Sequence, residues 1–239
     1  MKNKRMNKLK RELKVTEDGS HTFYMPDLDE HYHSTHGAIQ ESMHIFLNAG
    51  FHFAQQEPLH ILEIGFGTGL NCFLTVTEAE KQKRKVIYHS IELYPLEKEL
   101  IENLNYAEQT NMEASEMFQK LHSCEWNTDV QINENFTLHK LQGDLIEFNF
   151  PSKYDLVYFD AFAPDVQPDL WSQAIFEKIY QATTSEAILT TYCTKGIVKR
   201  ALRAAGFKVK RLPGPPGKRE MLRATRIDDF EPIKTIEQL

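Results

Sequence analysis

Apolar and amphipathic segments alternate along most of this chain. Five apolar stretches predict buried strands, at 59–64, 86–93, 136–144, 154–164 and 187–193. Five segments with apolar residues at helical spacing predict helices, at 38–54, 70–81, 96–122, 168–181 and 195–206. Strands that alternate with helices in this way predict a parallel sheet with both faces covered.

The end of the chain departs from this alternation. Segments 207–212 and 219–226 are separated by a proline- and glycine-rich turn, which predicts an antiparallel hairpin at the sheet edge. A mostly parallel, Rossmann-like sheet of seven strands with a late hairpin is typical of class I S-adenosylmethionine-dependent methyltransferases, an α/β fold. The chain shows no internal repeat or linker. We therefore expect a basic flexible arm at 1–14 and a single methyltransferase domain at 15–239.

The first predicted strand runs into a glycine-rich turn. Gly65, Gly67 and Gly69 have the spacing G-x-G-x-G, whereas dinucleotide enzymes commonly use G-x-G-x-x-G around a pyrophosphate. Glycine lets bare backbone approach a ligand closely. The preceding Glu63 favours a ligand that carries an α-ammonium group. The turn therefore predicts S-adenosylmethionine as cofactor, although a tight structural turn is the simpler interpretation of three glycines alone.

Acids also end the next two predicted strands. Glu92 is placed to accept hydrogen bonds from both ribose hydroxyls, and Asp144 suits the adenine amine, because a carboxylate offers only acceptors. Either acid alone could be a cap or a turn residue. The remaining predicted cofactor contacts adjoin these acids or form the turn: Gly65, Phe66, Gly67, Thr68, Gly69, Leu93, Gly143 and Leu145.

The fourth strand ends in a second acidic motif. Asp160 is predicted to face the glycine turn across the cleft, where it could orient an amine nucleophile and accept its proton. Cofactor contact or helix capping is the alternative for this residue. Phe162, Ala163 and Pro164 follow it as candidate substrate contacts, and Trp171 is predicted to lie in the core.

The net charge of −6 conceals a strong asymmetry. Residues 195–226 carry eleven Lys or Arg and one acid, whereas residues 15–194 carry 28 acids and nine bases. A basic block beside a candidate site favours a polyanionic partner, although a solvated helix face would look the same. Its predicted substrate contacts are Lys195, Lys199, Arg200, Lys218 and Arg219, with the acid Glu220 beside them.

Other features narrow the class of protein. No apolar run reaches the roughly 18 residues that cross a bilayer, and the basic N-terminus lacks the apolar core of a secretory signal. Three scattered cysteines fit a reducing cytoplasm. His31, His33 and His36 have no accompanying ligand cluster, so we expect no metal, and Tyr32 and His33 are better candidates for covering the cofactor.

The ordered motifs resemble the methyltransferase half of the MnmC family, over roughly residues 20–226. The matching segments are DEHYHSTHGAIQES, LEIGFGTGLN, DAFAPDVQPDLWSQAIFEKI, TTYCTKGIVKRALRAAGF and GKREMLRA. The resemblance implies methylation of the 5-aminomethyl group of the wobble (2-thio)uridine in tRNA, with Asp160 facing that group. It also implies that Lys218, Arg219 and Glu220 lie near the substrate.

The sequence departs from the family in three places. A flavin-dependent oxidase domain, present in longer members, does not fit in this chain, so we expect action on the free aminomethyl nucleoside. Cys193, Thr194 and Lys195 replace a threonine–serine–alanine sequence, and PGPPGKRE replaces a glycine–phenylalanine–glycine turn. Two other functions stay open: a spermidine-synthase-like aminopropyltransferase, and a non-catalytic module that binds tRNA or protein.

Overall fold

A small antiparallel sheet forms the N-terminal part of the molecule. The structure is a computed structural model, and it describes residues 9–110 and 115–226. Its strands are β1 (Glu12–Val15), β2 (His21–Met25) and β3 (Glu30–His31), in the order β1-β2-β3. The expectation of a flexible arm at 1–14 is wrong for residues 12–14, because they pair with β2. Residues 1–8 of the expected arm lie outside the described residues.

The main sheet has eight strands in the order β10-β11-β9-β8-β4-β5-β7-β6. Five run parallel, and they are β4 (Leu59–Ile64), β5 (Val86–Glu92), β7 (Phe136–Gln142), β8 (Tyr154–Phe159) and β9 (Thr183–Thr191). Three are antiparallel to their neighbours: β6 (Asp129–Asn133), β10 (Phe207–Pro213) and β11 (Glu220–Arg226). The Rossmann-like fold and the final hairpin are confirmed. The sequence predicts seven strands in this sheet, one fewer than the structure has. The strand that was not predicted is β6, in which only Ile132 is buried.

Helices cover both faces of this sheet. They are α1 (Ala38–Ser42), which continues as a π-helix over Met43–Phe51, α2 (Leu70–Gln82), α3 (Lys98–Ile101), α4 (Tyr106–Thr110), α5 (Ser115–Ser123), a 3-10 turn at Pro168–Trp171, α6 (Gln173–Gln181) and α7 (Gly196–Ala204). The predicted 96–122 helix is thus three short helices within the described residues. None of the described helices has the length and apolar character that crossing a membrane requires.

Two apolar layers hold the helices to the sheet. One layer joins α1, the π-helix, α2 and α5 to the face that carries Tyr88 and Tyr158. The other joins α6 and α7 to the face that carries Phe159 and Leu189. Trp171 is 3% exposed and belongs to this second layer, as predicted. Because β4 lies between β8 and β5, the order of the parallel strands reverses beside it, at the edge where such sheets bind ligands.

Candidate active site

The glycine turn lies between the ends of β4, β5 and β8. The Gly65 amide donates to the Ile91 carbonyl over 3.0 Å, and a Cβ at Gly65, where φ is +92°, would lie 3.0 Å from the Asp160 carbonyl oxygen. At Gly67, where φ is +49°, a Cβ would lie 3.3 Å from the Tyr32 ring. Both positions require glycine, because an added side chain would be strained and would press on a neighbour. The turn therefore brings bare backbone to the centre of the site.

Glu92 is held at the end of β5 by backbone groups. Its Oε2 accepts the Gly67 amide over 3.1 Å, and its Oε1 accepts the Tyr94 amide over 2.8 Å. The next strand end is tied to this one, because the Gly143 amide donates to the Glu92 carbonyl over 3.1 Å. Asp144 follows, and its Oδ1 accepts the Ile146 amide over 2.9 Å. Two carboxylates are thereby fixed at neighbouring strand ends, as predicted.

These strand ends border a cavity of about 1010 Å³, near the upper end of small-molecule sites. Most of the predicted cofactor contacts line it: Gly65, Phe66, Gly67, Thr68, Glu92, Leu93, Gly143, Asp144 and Leu145. Glu63 and Gly69 do not belong to its lining. Asp160 follows β8, on the other side of β4 from β5, and lines the same cavity, so the structure brings the two predicted halves of the site together.

Asp160 is held by a buried asparagine. The Asn71 amide nitrogen donates to Asp160 Oδ2 over 2.8 Å, from the first turn of α2. Burial and the negative charge of Glu41 raise the pKa of Asp160 to about 7, and the bond from Asn71 acts in the opposite direction. A carboxyl with a pKa of this size can take up and release a proton near neutral pH.

Glu63 lies behind the turn instead of facing the cavity. It is fully buried, and its Oε2 accepts the Ser90 hydroxyl over 2.6 Å. Ser90 is its registered partner on β5, so the side chain projects from one face of the sheet and not from the strand end. Burial raises the pKa of Glu63 to about 8. The predicted contact with an α-ammonium group is therefore not provided by this geometry.

The residues after β3 cover the glycine turn. The Tyr32 ring meets the Phe162 ring edge-on at 5.1 Å, and its hydroxyl accepts the Arg11 Nε proton over 3.2 Å. His33 Nε2 is hydrogen-bonded to the Thr68 hydroxyl over 2.7 Å, and burial lowers the pKa of this imidazole to about 4. Tyr32 and His33 both line the cavity, in agreement with their predicted position over the cofactor.

The predicted substrate contacts are divided between the cavity and the surface. Phe162 and Lys218 line the cavity. The others do not belong to its lining: Ala163, Pro164, Lys195, Lys199, Arg200, Arg219 and Glu220. Lys195 forms an ion pair with Asp165, and Glu220 forms one with Arg211 at 3.3 Å. The ammonium group of Lys218 points inward and lies 2.5 Å from Glu41 Oε1, which opposes its predicted contact with a tRNA phosphate.

Sequence reasoning missed three residues that shape the acceptor side: Glu41, Asn71 and Tyr192. All three line the cavity. Glu41 is 7% exposed and shares the buried side of α1 with Ala38 and Ser42. For Glu41 the sequence offered one signal, which is an acid at a position that the helix buries. An acid is rarely buried without a partner, so such a residue indicates a buried polar contact.

One group of side chains has spacing that could suit a metal ion, and it lies outside this cavity. His89, Asp129 and His139 come from β5, β6 and β7, and their potential ligand atoms lie within 4.8 Å of one another. His139 Nδ1 is 2.7 Å from Asp129 Oδ1. Within the described residues, His31, His33 and His36 do not form such a group.

Comparisons with known proteins identify the family to which this chain belongs. Residues 97–227 match the model of a family described as S-adenosyl-L-methionine-dependent methyltransferase. The bifunctional protein of tRNA 5-methylaminomethyl-2-thiouridine biosynthesis, MnmC, from Cupriavidus metallidurans is 30% identical over 87% of this chain and 32% of its own length. The Campylobacter hominis protein of the same name is 34% identical over 71% of this chain and 26% of its own. The chain thus spans about a third or less of these relatives.

Two solved structures share the fold. The crystal structure of MnmC2 from Aquifex aeolicus superposes with a TM-score of 0.75 at 25% identity, covering 95% of this chain and 73% of that one. Spermidine synthase from Thermotoga maritima superposes with a TM-score of 0.50 at 14% identity, covering 94% of this chain and 74% of that one. The second likeness concerns the fold alone.

Proposed function

The chain belongs to the family of S-adenosyl-L-methionine-dependent methyltransferases, and from that premise we propose that it methylates the 5-aminomethyl group of the wobble (2-thio)uridine in tRNA. The product is 5-methylaminomethyl-uridine. The observation that carries the proposal is one cavity lined by the glycine turn, by Glu92 and Asp144, and by Asp160. Similarity to the MnmC proteins over most of this chain supports the choice of acceptor.

The cofactor side of the cavity fits S-adenosylmethionine. Glu92 accepts one backbone amide on each oxygen, and a carboxylate oxygen has a further lone pair for a ribose hydroxyl. Asp144 is assigned to the adenine amine. Gly65, Phe66, Gly67 and Thr68 would hold the methionine portion, and Tyr32 and His33 would cover it, since all six line the cavity. When bound, the cofactor supplies a methyl group already activated on a sulfonium, so the protein chiefly has to position an amine in line with it.

Asp160 is assigned to the acceptor amine. An amine must be neutral at nitrogen to act as a nucleophile, and a carboxylate with a pKa near 7 can hold the proton that the amine gives up. Asn71 fixes the carboxylate by donating to Oδ2, which leaves Oδ1 for the amine. Phe162, whose carbonyl accepts the Trp171 indole proton over 2.7 Å, is placed to contact the uracil ring.

An aminopropyltransferase is the second candidate, because spermidine synthase shares the fold. Such an enzyme takes a cationic polyamine, which the basic C-terminal block would repel. Protein incubated with decarboxylated S-adenosylmethionine and a polyamine should give no aminopropylated product. A non-catalytic module would show no turnover with either donor.

Methylation of tRNA tests the proposal directly. The protein is incubated with S-adenosylmethionine and tRNA that carries 5-aminomethyl-uridine, and the nucleosides are separated by mass spectrometry. We expect the aminomethyl nucleoside to gain one methyl group, and tRNA with an unmodified wobble uridine to gain none. The matched control Asp160→Asn should bind cofactor normally and lose about 10²–10⁴-fold in rate, the usual contribution of a general base. Cofactor binding without methylation of the aminomethyl tRNA would remove the proposal.

We also propose that residues 15–239 act as a single domain in the cytoplasm, where tRNA is modified.

A further inference from the structure

A lysine from the hairpin lies inside the acceptor end of the cavity. Lys218 belongs to the segment between β10 and β11, yet its side chain is only 32% exposed and lines the cavity. Its ammonium group lies 2.5 Å from Glu41 Oε1 and 4.4 Å from the centre of the Tyr192 ring. An ammonium group near one carboxylate and one aromatic face occupies a cation site.

The groups around this ammonium are fixed by other bonds. Glu41 Oε2 accepts the Ser34 amide over 2.8 Å, so the carboxylate is held at the oxygen that Lys218 does not contact. The Tyr192 hydroxyl donates to the Ala161 carbonyl over 2.9 Å, which ties the ring to the residue after Asp160. These bonds do not depend on Lys218. The site is therefore built in advance, and its lysine is attached to a surface turn.

Asp160 belongs to the same electrostatic group. The negative charge of Glu41 is among the causes that raise the pKa of Asp160, and the positive charge of Lys218 lowers it. Burial raises the pKa of Tyr192, and the negative charges of Asp160 and Glu41 add to that rise. Asp160, Glu41 and Tyr192 all line the cavity, and two carboxylates with an aromatic ring favour one positive charge there.

We propose that Glu41, Asp160 and the Tyr192 ring form a subsite for a primary ammonium group, which the Lys218 ammonium fills until the acceptor displaces it. This inference rests on the proposed function and identifies how its acceptor is recognised. The arriving group has the same charge and the same donor count as the lysine, so it can take over the bond to Glu41. Lys218 then occupies the position of the substrate ammonium group and does not contact a phosphate.

The subsite also accounts for the proton. The acceptor enters as R–NH₃⁺, one N–H bond breaks, and the proton bonds to the Asp160 carboxylate while the electron pair stays on nitrogen. The result is R–NH₂ beside a neutral carboxyl, with Glu41 still accepting a hydrogen bond from the amine. Glu41 positions the nitrogen, and Asp160 receives the proton.

Lys218→Met gives the sharpest test, because the two interpretations of this lysine predict opposite changes in the KM for aminomethyl tRNA. Removing a competitor for the subsite should lower the KM for aminomethyl tRNA, by about 3-fold or more, since the binding-competent fraction rises. Removing a phosphate contact would raise that KM. The matched control is Lys85→Met, which should leave the KM unchanged. Lys85 is exposed and precedes β5, at the end of that strand away from the cavity.

Glu41→Gln supplies the second arm. Glutamine keeps an oxygen for the Ser34 amide but loses the charge, so the acceptor KM should rise about 10-fold, the factor for one hydrogen bond to a charged group. Calorimetry with the free nucleosides provides a readout besides activity. Wild-type protein should bind 5-aminomethyl-uridine more tightly than 5-hydroxymethyl-uridine, and Glu41→Gln should narrow that preference. An unchanged dissociation constant for S-adenosylmethionine shows that each variant is folded.

The outcomes separate this inference from the proposed function. A wild-type protein that does not methylate aminomethyl tRNA removes the proposed function. An active wild type overturns the subsite alone if Lys218→Met raises the acceptor KM, or if Glu41→Gln leaves both the KM and the nucleoside preference as they were.

Discussion

The hydrogen bond from Asn71 to Asp160 has a consequence for pH dependence. This bond lowers the pKa of Asp160, which burial has raised to about 7, and the base acts when it is deprotonated. Activity should therefore rise with pH through the pKa of Asp160. Asn71→Ala removes the opposing bond, so the rising limb of kcat/KM should move to higher pH, with activity lost at pH 7 and largely regained at pH 9. Rate profiles of both proteins at saturating cofactor check this, and parallel profiles would contradict it.

The burial of Glu63 predicts how the stability of the folded protein depends on pH. Burial raises its pKa from 4.5 to about 8, so the folded protein holds a proton that the unfolded chain releases above pH 4.5. The stability linked to that proton is present at low pH and is lost as the pH rises from 4.5 to 8. Glu63→Gln removes this loss, so its melting temperature should exceed that of wild type at pH 8, and the gap should shrink at pH 5. A gap that is equal at both pH values would contradict the assignment.

Residues at strand ends could be predicted from sequence, and residues within elements could not. Glu92 is the last residue of β5 and Asp144 lies two residues after β7, so their place at one sheet edge followed from the alternation of strands and helices. Glu63 lies one residue before the end of its strand. Because side chains in a strand alternate between the two faces of the sheet, its carboxylate points into one face and not into the cavity. Asn71 and Glu41 occupy helix positions whose exposure depends on packing, which one sequence does not reveal.

At the scale of elements, the N-terminal sheet positions Tyr32 so that it covers the glycine turn on the cofactor side of the cavity. Tyr32 follows β3 directly and packs on both Gly67 and Phe162. Tyr32→Ala should open this side, so cofactor should dissociate faster and bind about 10-fold more weakly, as expected for a lost aromatic contact. Phe53→Ala is a matched control, because that ring is 47% exposed and is not part of the cavity lining. Stopped-flow dissociation rates measure the difference, and equal rates for both variants would exclude Tyr32 as a cover.

Most of the strands that sequence reasoning missed lack an apolar run. The strand β4 was predicted at its observed bounds, since its six residues are buried except for the partly exposed His60. The strands β1, β3 and β6 have mostly exposed or half-exposed side chains, so they lack the pattern that marks a strand. Their pairing depends on partners elsewhere in the chain, and those partners are set by the fold.

At the scale of the whole molecule, the separation of charge suggests how tRNA approaches. Lys199 and Arg219 belong to the basic block, lie outside the cavity lining and are not drawn inward as Lys218 is. The double variant Lys199→Ala/Arg219→Ala should raise the KM for tRNA and flatten its salt dependence by about 0.7 in slope for each lost phosphate contact. Lys81→Ala/Lys85→Ala removes the same charge from the other end of the molecule and should change neither quantity. Equal slopes in the two double variants would exclude the block from tRNA binding.

The two tryptophans of the chain lie behind the two halves of the cavity. Trp126 packs edge-on against Phe66 of the glycine turn at 5.9 Å, and Trp171 donates its indole proton to Phe162 in the acceptor loop. Intrinsic fluorescence should therefore report on both ligands through separate emitters. With Trp171→Phe the remaining emission should respond to S-adenosylmethionine, and with Trp126→Phe it should respond to the acceptor nucleoside. The order in which the two ligands bind could then be read optically, without a label.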